Sequence, residues 1–89
     1  LKAIFVKIFG HVQGVGFRHF TYKIAKRLSI KGYVRNAEDG TVEIHAEGDE
    51  KNLEQFLIQV SRGPVMAVVI DIRVEETSVQ GYEDFEIVY

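Results

Sequence analysis

The sequence predicts an α+β fold, two helices packed on one face of a mostly antiparallel sheet, and three observations carry that prediction. Apolar residues recur at every second position through Ile4, Val6 and Ile8, through Val42, Ile44 and Ala46, and through Val68, Ile70, Ile72 and Val74, which is the period of strands. They recur at three and four through Phe17, Phe20, Ile24 and Leu28, and again through Leu53, Phe56, Leu57 and Val60, which is the period of helices. Asp39-Gly40, lying between two strand-like runs, signals a tight turn that joins them as a hairpin.

In chain order, Ala3 to Phe9 reads as a central strand, with Ile4, Val6 and Ile8 on one face and Phe5 and Phe9 on the other. Gly10 to Gly16 is too rich in glycine for a helix or strand and is read as a loop. The first helix begins at Phe17 and carries Lys23, Lys26 and Arg27 off its apolar stripe. Gly32 to Asn36 and Thr41 to Glu47 form the hairpin, with Val42, Ile44 and Ala46 turned inward. Asp49 is a candidate N-cap and Glu50 a favourable charge for the second helix, which Gly63-Pro64 stops. A strand from Val68 to Glu75, a loop at Ser78 to Gly81 and a short strand with Phe85, Ile87 and Tyr89 on one face complete the chain. The order is βαββαβ with an extra C-terminal strand. Two helices crossing between non-adjacent strands make the split βαβ, ferredoxin-like sandwich.

Eighty-nine residues without a repeat, linker or low-complexity stretch imply one domain over 1–89. At 46% hydrophobic and 27% charged, the composition is too apolar and too balanced for disorder. The absence of cysteine removes disulfides, thiolate metal ligands and a cysteine nucleophile together, and fits a cytoplasmic protein. No apolar run is long enough for a membrane span. A formal charge of −2 argues against nucleic acid as a partner. The local basic collection of Arg18, Lys23, Lys26, Arg27, Lys31 and Arg35 suits a small anion better than a long polyanion.

The loop is the feature with chemistry in it. A strand feeding a helix through a glycine-rich turn aims backbone N–H groups at one point beside the positive end of the helix dipole. Gly10, Gly14 and Gly16 permit backbone conformations that let consecutive amides converge on an anion, and Arg18, at the entry to the helix, can bind two phosphoryl oxygens through its planar guanidinium. A nucleotide P-loop would need a lysine and a hydroxyl that are missing, and a dinucleotide fingerprint would need glycine where His19 stands.

Gly10-x-Val12-Gln13-Gly14-Val15-x-Phe17-Arg18, followed by Gly32-Tyr33-Val34-Arg35-Asn36 and Asp39-Gly40-Thr41-Val42-Glu43, resembles the two signature segments of the acylphosphatases, and the likeness runs to the closing Phe85-x-Ile87-x-Tyr89. The resemblance implies a hydrolase that splits the carboxyl-phosphate bond of a small-molecule acyl phosphate, with inorganic phosphate as product and competitive inhibitor. It implies that Arg18 and the backbone amides of Gln13, Gly14, Val15, Gly16, Phe17 and Arg18 bind the phosphoryl group and that Asn36 positions the attacking water. It also implies no metal and no other cofactor, and a monomer is expected. The chain departs from the family in having Tyr33 where tryptophan is frequent and, at the end of the first helix, Ser29 where glycine is frequent, which costs C-cap stability if the cap is left-handed.

Other candidates have plainer explanations. His11, His19 and His45 form no helical pair and are read as solvent-facing or loop residues. Glu38, Asp39 and Glu43 could be taken for an acid–base pair, but the hairpin turn accounts for Asp39 and an exposed strand face for Glu43. Neighbours on a strand point to opposite faces, so only one of Arg35 and Asn36 can face the loop. Phe17 and Phe20 lie on the core stripe. An RNA-recognition module shares the element order, but its stacking motif belongs on the third strand, where Val42-Glu43-Ile44-His45 offers no aromatic ring. A regulatory anion-binding domain, or a piece of a larger carbamoyl-transfer protein, is the other alternative; the chain's end at Tyr89 speaks for the smaller protein.

Overall fold

Period-two alternation sets which face of each strand is buried, and cross-strand pairing carries that choice from one strand to the next. In the computed structural model, which describes residues 1–89, β1 spans Lys2–His11, β2 Lys31–Asn36, β3 Val42–Gly48, β4 Val68–Thr77 and β5 Phe85–Val88. They form one sheet in the order β4-β1-β3-β2-β5, antiparallel except where β5 runs parallel to β2. Central β3 thus has β1 on one side and β2 on the other. Ile4, Val6 and Ile8 of β1 stand opposite Ala46, Ile44 and Val42 of β3, which stand opposite Gly32, Val34 and Asn36 of β2.

Helices α1, Phe17–Arg27, and α2, Glu50–Val60, cover this face. They contribute Phe17, Ile24, Ala25, Leu53, Phe56 and Val60 to one core with the strand residues and Phe85. Each large apolar side chain in that core contributes on the order of 1.5–3 kcal/mol by leaving water. Asp49 stands at the N-cap of α2 without a side-chain cap hydrogen bond. Past α1, Ser29 has φ of 56°, the left-handed conformation expected of a glycine cap.

Two strand expectations need correction. Gly10 belongs to β1 and not to the loop. It sits at a bulge where β1 shifts register against β4, and a Cβ there would lie 2.1 Å from the Val68 carbonyl oxygen, so the position requires glycine. The same bulge breaks the Val68-Ile70-Ile72-Val74 stripe. Ile70 is the unpaired extra residue, and the inward phase passes to Val69 and Ile72, leaving Val68 58% and Ile70 77% exposed on an edge strand.

Candidate active site

From His11 the chain turns through residues 12–16 into α1. Val12 is buried and pins the start of the turn, while Gly14 and Gly16 take φ of 75° and 80°, left-handed values that side chains rarely adopt. The Gln13 side chain points away from the turn's interior; its Nε2 donates to the carbonyl oxygens of Ala37, at 2.7 Å, and Thr41, at 2.9 Å. The loop is thereby fastened to the turn that joins β2 and β3. Helix α1 starts with no side-chain cap and no acidic residue in its first turn. Its first N–H groups therefore have no partner within the helix and present their positive ends to the space in front of it.

That space is a cavity of about 140 Å³. Gly14, Gly16, Phe17 and Arg18 of the expected phosphate site line it, together with Val12, His19, Asn36 and Tyr89; Gln13 and Val15 lie outside its lining. No carboxylate side chain lines the cavity, and Arg18 has no ion-pair partner; its guanidinium instead rests 4.8 Å from the centre of the Tyr89 ring. Asn36 continues the row Ile8, Val42, Asn36 on the helix-bearing face. Its Oδ1 is buried without a hydrogen-bond partner, an acceptor held ready at the cavity wall.

Arg35 faces the other way. Its Nε donates to Glu43 Oε1 at 2.9 Å, and Glu43 also lies 3.6 Å from Lys7 Nζ. Asp39 accepts from the Thr41 backbone and hydroxyl and pairs with Lys7 at 2.8 Å, so its carboxyl is held far below the usual carboxylate range, chiefly by Lys7 and then by Thr41. Both carboxylates are thus engaged on the face away from the cavity.

Members of the curated acylphosphatases align with the chain throughout, and the family model described as Acylphosphatase matches residues 4–87. The chain belongs to the acylphosphatase family. It is 56% identical over 89 residues to the acylphosphatase of Thermotoga maritima, covering 100% of this chain and 99% of that one. The crystal structure of acylphosphatase from Bacillus subtilis superposes with a TM-score of 0.97 at 41% identity, each chain covered in full. A full-length HypF structure, in phosphate- and nucleotide-bound form, matches at 42% identity and a TM-score of 0.94 over 99% of this chain but 12% of its own. The acylphosphatase fold is ferredoxin-like, as the element order predicts.

The candidate site has one wall that sequence reasoning missed. The alternation puts Tyr89 in the last strand, on one face with Phe85 and Ile87; in the structure it lies beyond β5, 93% exposed, against Arg18. Only the parallel pairing of β5 with β2, a contact across most of the chain, brings it there. A second correction concerns His45, which is neither solvent-facing nor in a loop. It is buried in β3, stacked 5.9 Å from the Tyr33 ring, with Nε2 2.7 Å from Glu47 Oε2. Glu47, 1% exposed, also accepts from the backbone N–H groups of Gln80, Gly81 and Tyr82 and so anchors the loop that leads to β5. Burial alone would raise its pKa, but the three amides and His45 outweigh that and hold it below the usual range.

Proposed function

We propose that the chain hydrolyses acyl phosphates to a carboxylate and inorganic phosphate without a metal ion. The phosphoryl group sits in the cavity, its oxygens held by Arg18 and by backbone amides of residues 13–18, while Asn36 orients the water. The observation that carries this reading is the buried, unpartnered Asn36 Oδ1 on the same cavity as Arg18 and the uncapped start of α1. A cation and free amides suit the phosphoryl oxygens, and a free acceptor suits a water proton.

The chemistry needs little more. Water oxygen attacks phosphorus in line, the bond from phosphorus to the acyl oxygen breaks, the carboxylate leaves with the bonding pair, and the water protons stay on the phosphate. The leaving carboxylate has a conjugate-acid pKa of about 4, so it departs without a proton donor. A loose phosphoryl transfer depends chiefly on positioning and on stabilising charge over the equatorial oxygens, which Arg18 and the amides supply. Product phosphate competes for the same grip.

Incubation with benzoyl phosphate, with and without chelator, tests the proposal. Loss of the acyl phosphate well above background and equal in both arms is expected. No hydrolysis refutes the enzymatic reading, and activity abolished by chelator refutes the metal-free one.

A further inference from the structure

A second concavity, larger than the one at the loop, lies elsewhere on the molecule. A groove of about 520 Å³ runs between α1 and α2, within the roughly 300–1,000 Å³ range of small-molecule sites. Its apolar surface comes from Phe20, Ile24 and Ile58, the last 49% exposed. Lys23 and Arg27 reach it from α1, and Arg62 from beyond the end of α2. Arg27 also donates to Gln59 across the groove and so ties the two helices together.

The charges are the telling part. The chain carries thirteen acidic residues and a net charge of −2, yet no acidic residue lines this groove. Lys2, Lys7, Lys26, Arg35 and Arg73 each have a carboxylate partner; of the six cations that have none, Lys23, Arg27 and Arg62 converge on this groove, while Arg18, Lys31 and Lys51 lie outside its lining. Three unpaired cations around an apolar floor create a local positive potential in an acidic protein. An isolated phosphate would leave the apolar floor wet, and a neutral apolar molecule would leave the cations unanswered.

We propose that this groove is a second ligand site, for a multiply charged organic anion whose apolar body lies on Phe20, Ile24 and Ile58 while its charged group meets Lys23 and Arg62. It is separate from the catalytic cavity. The buried Phe17 ring stands between them, lining that cavity on one side and packing at 5.8 Å against Phe20 on the other.

The test is a residue-resolved NMR titration of the full chain with 1-naphthyl phosphate, which distinguishes the groove from the catalytic cavity. Saturable shifts are expected at Lys23, Arg27, Ile58 and Arg62. In the double variant Lys23→Glu, Arg62→Glu, whose exposed positions leave the core intact, these shifts weaken at least tenfold while the spectrum stays dispersed. 1-Naphthol, the body without the charge, binds at least tenfold more weakly. Shifts confined to residues 12–18, 36 and 89, an unchanged affinity in the double variant, or equal binding of 1-naphthol would each overturn the proposal.

Discussion

Replacing Glu47 by glutamine puts the buried carboxylate to a quantitative test. One carboxylate oxygen serves Gly81 and Tyr82, each at 3.2 Å, and the other serves Gln80 and His45. A glutamine keeps one acceptor oxygen and turns the other into a donor. In its best orientation the carbonyl stays on Gly81 and Tyr82, the new NH₂ donates to His45, and the Gln80 N–H loses its acceptor. Gln80 is exposed, so water can replace its lost acceptor. The cost lies chiefly in the three surviving bonds, each of which loses about half of the roughly 1.5–3 kcal/mol that a bond to a charged group contributes. The total is about 2–4 kcal/mol, a large share of the roughly 4–13 kcal/mol expected for a domain of this size. In urea, with a slope of about 1 kcal/mol/M, the midpoint at pH 7 should fall by about 2 M or more at unchanged slope.

The pH dependence has a definite sign. Because the folded-state pKa of Glu47 lies below its unfolded value, the carboxylate's contribution is fully present above the unfolded pKa of about 4.3. It is lost as pH falls through the lower folded value. The gap between the native chain and Glu47→Gln should therefore be widest near neutrality and close in acid. Equal midpoints at pH 7, or a gap that persists unchanged into acid, would refute the assignment of Glu47 as the anchor of residues 80–82.

On the proposed mechanism Arg18→Ala removes a donor that meets developing charge, and it should lower kcat/KM by about 10²–10³ or more and abolish phosphate binding in titration calorimetry. Asn36→Ala should lower kcat strongly while leaving the inhibition constant of phosphate nearly intact; the opposite split would exchange the roles of these two residues. Ser29→Gly should stabilise the fold by about 0.5–1 kcal/mol, because relief of the left-handed cost of about 1–2 kcal/mol exceeds the entropy that glycine adds to the unfolded chain. A denaturation midpoint at or below that of the native chain would contradict the strain at φ of 56°.

Local rules made much of this molecule legible. Strand alternation alone separates Asn36 from Arg35, and the two do occupy opposite faces because the period of a strand leaves no choice. The hairpin turn at Asp39-Gly40 is likewise written in a short stretch of sequence, whereas the left-handed cap at Ser29 follows only from the family resemblance. What escaped was decided between distant segments. Gly10 looks like a loop glycine until β4 is laid against it, and the bulge that this pairing creates is what turns Ile70 outward. His45 reads as a solvent-facing or loop residue until it is stacked on Tyr33 and bonded to Glu47, which residues 80–82 cover. Tyr89 meets Arg18 only after the sheet has closed.

The Gln13 fastening bears on how the proposed reaction is organised in time. With two bonds to the Ala37 and Thr41 carbonyls, it ties the turn proposed to grip the anion to the end of the hairpin that carries Asn36. In the proposed reaction the two halves of the site are already joined in the folded chain. Its dipoles are oriented when the chain folds and are not reoriented at each turnover, so the reorganisation that bulk water would undergo around a transferring phosphoryl group is largely absent.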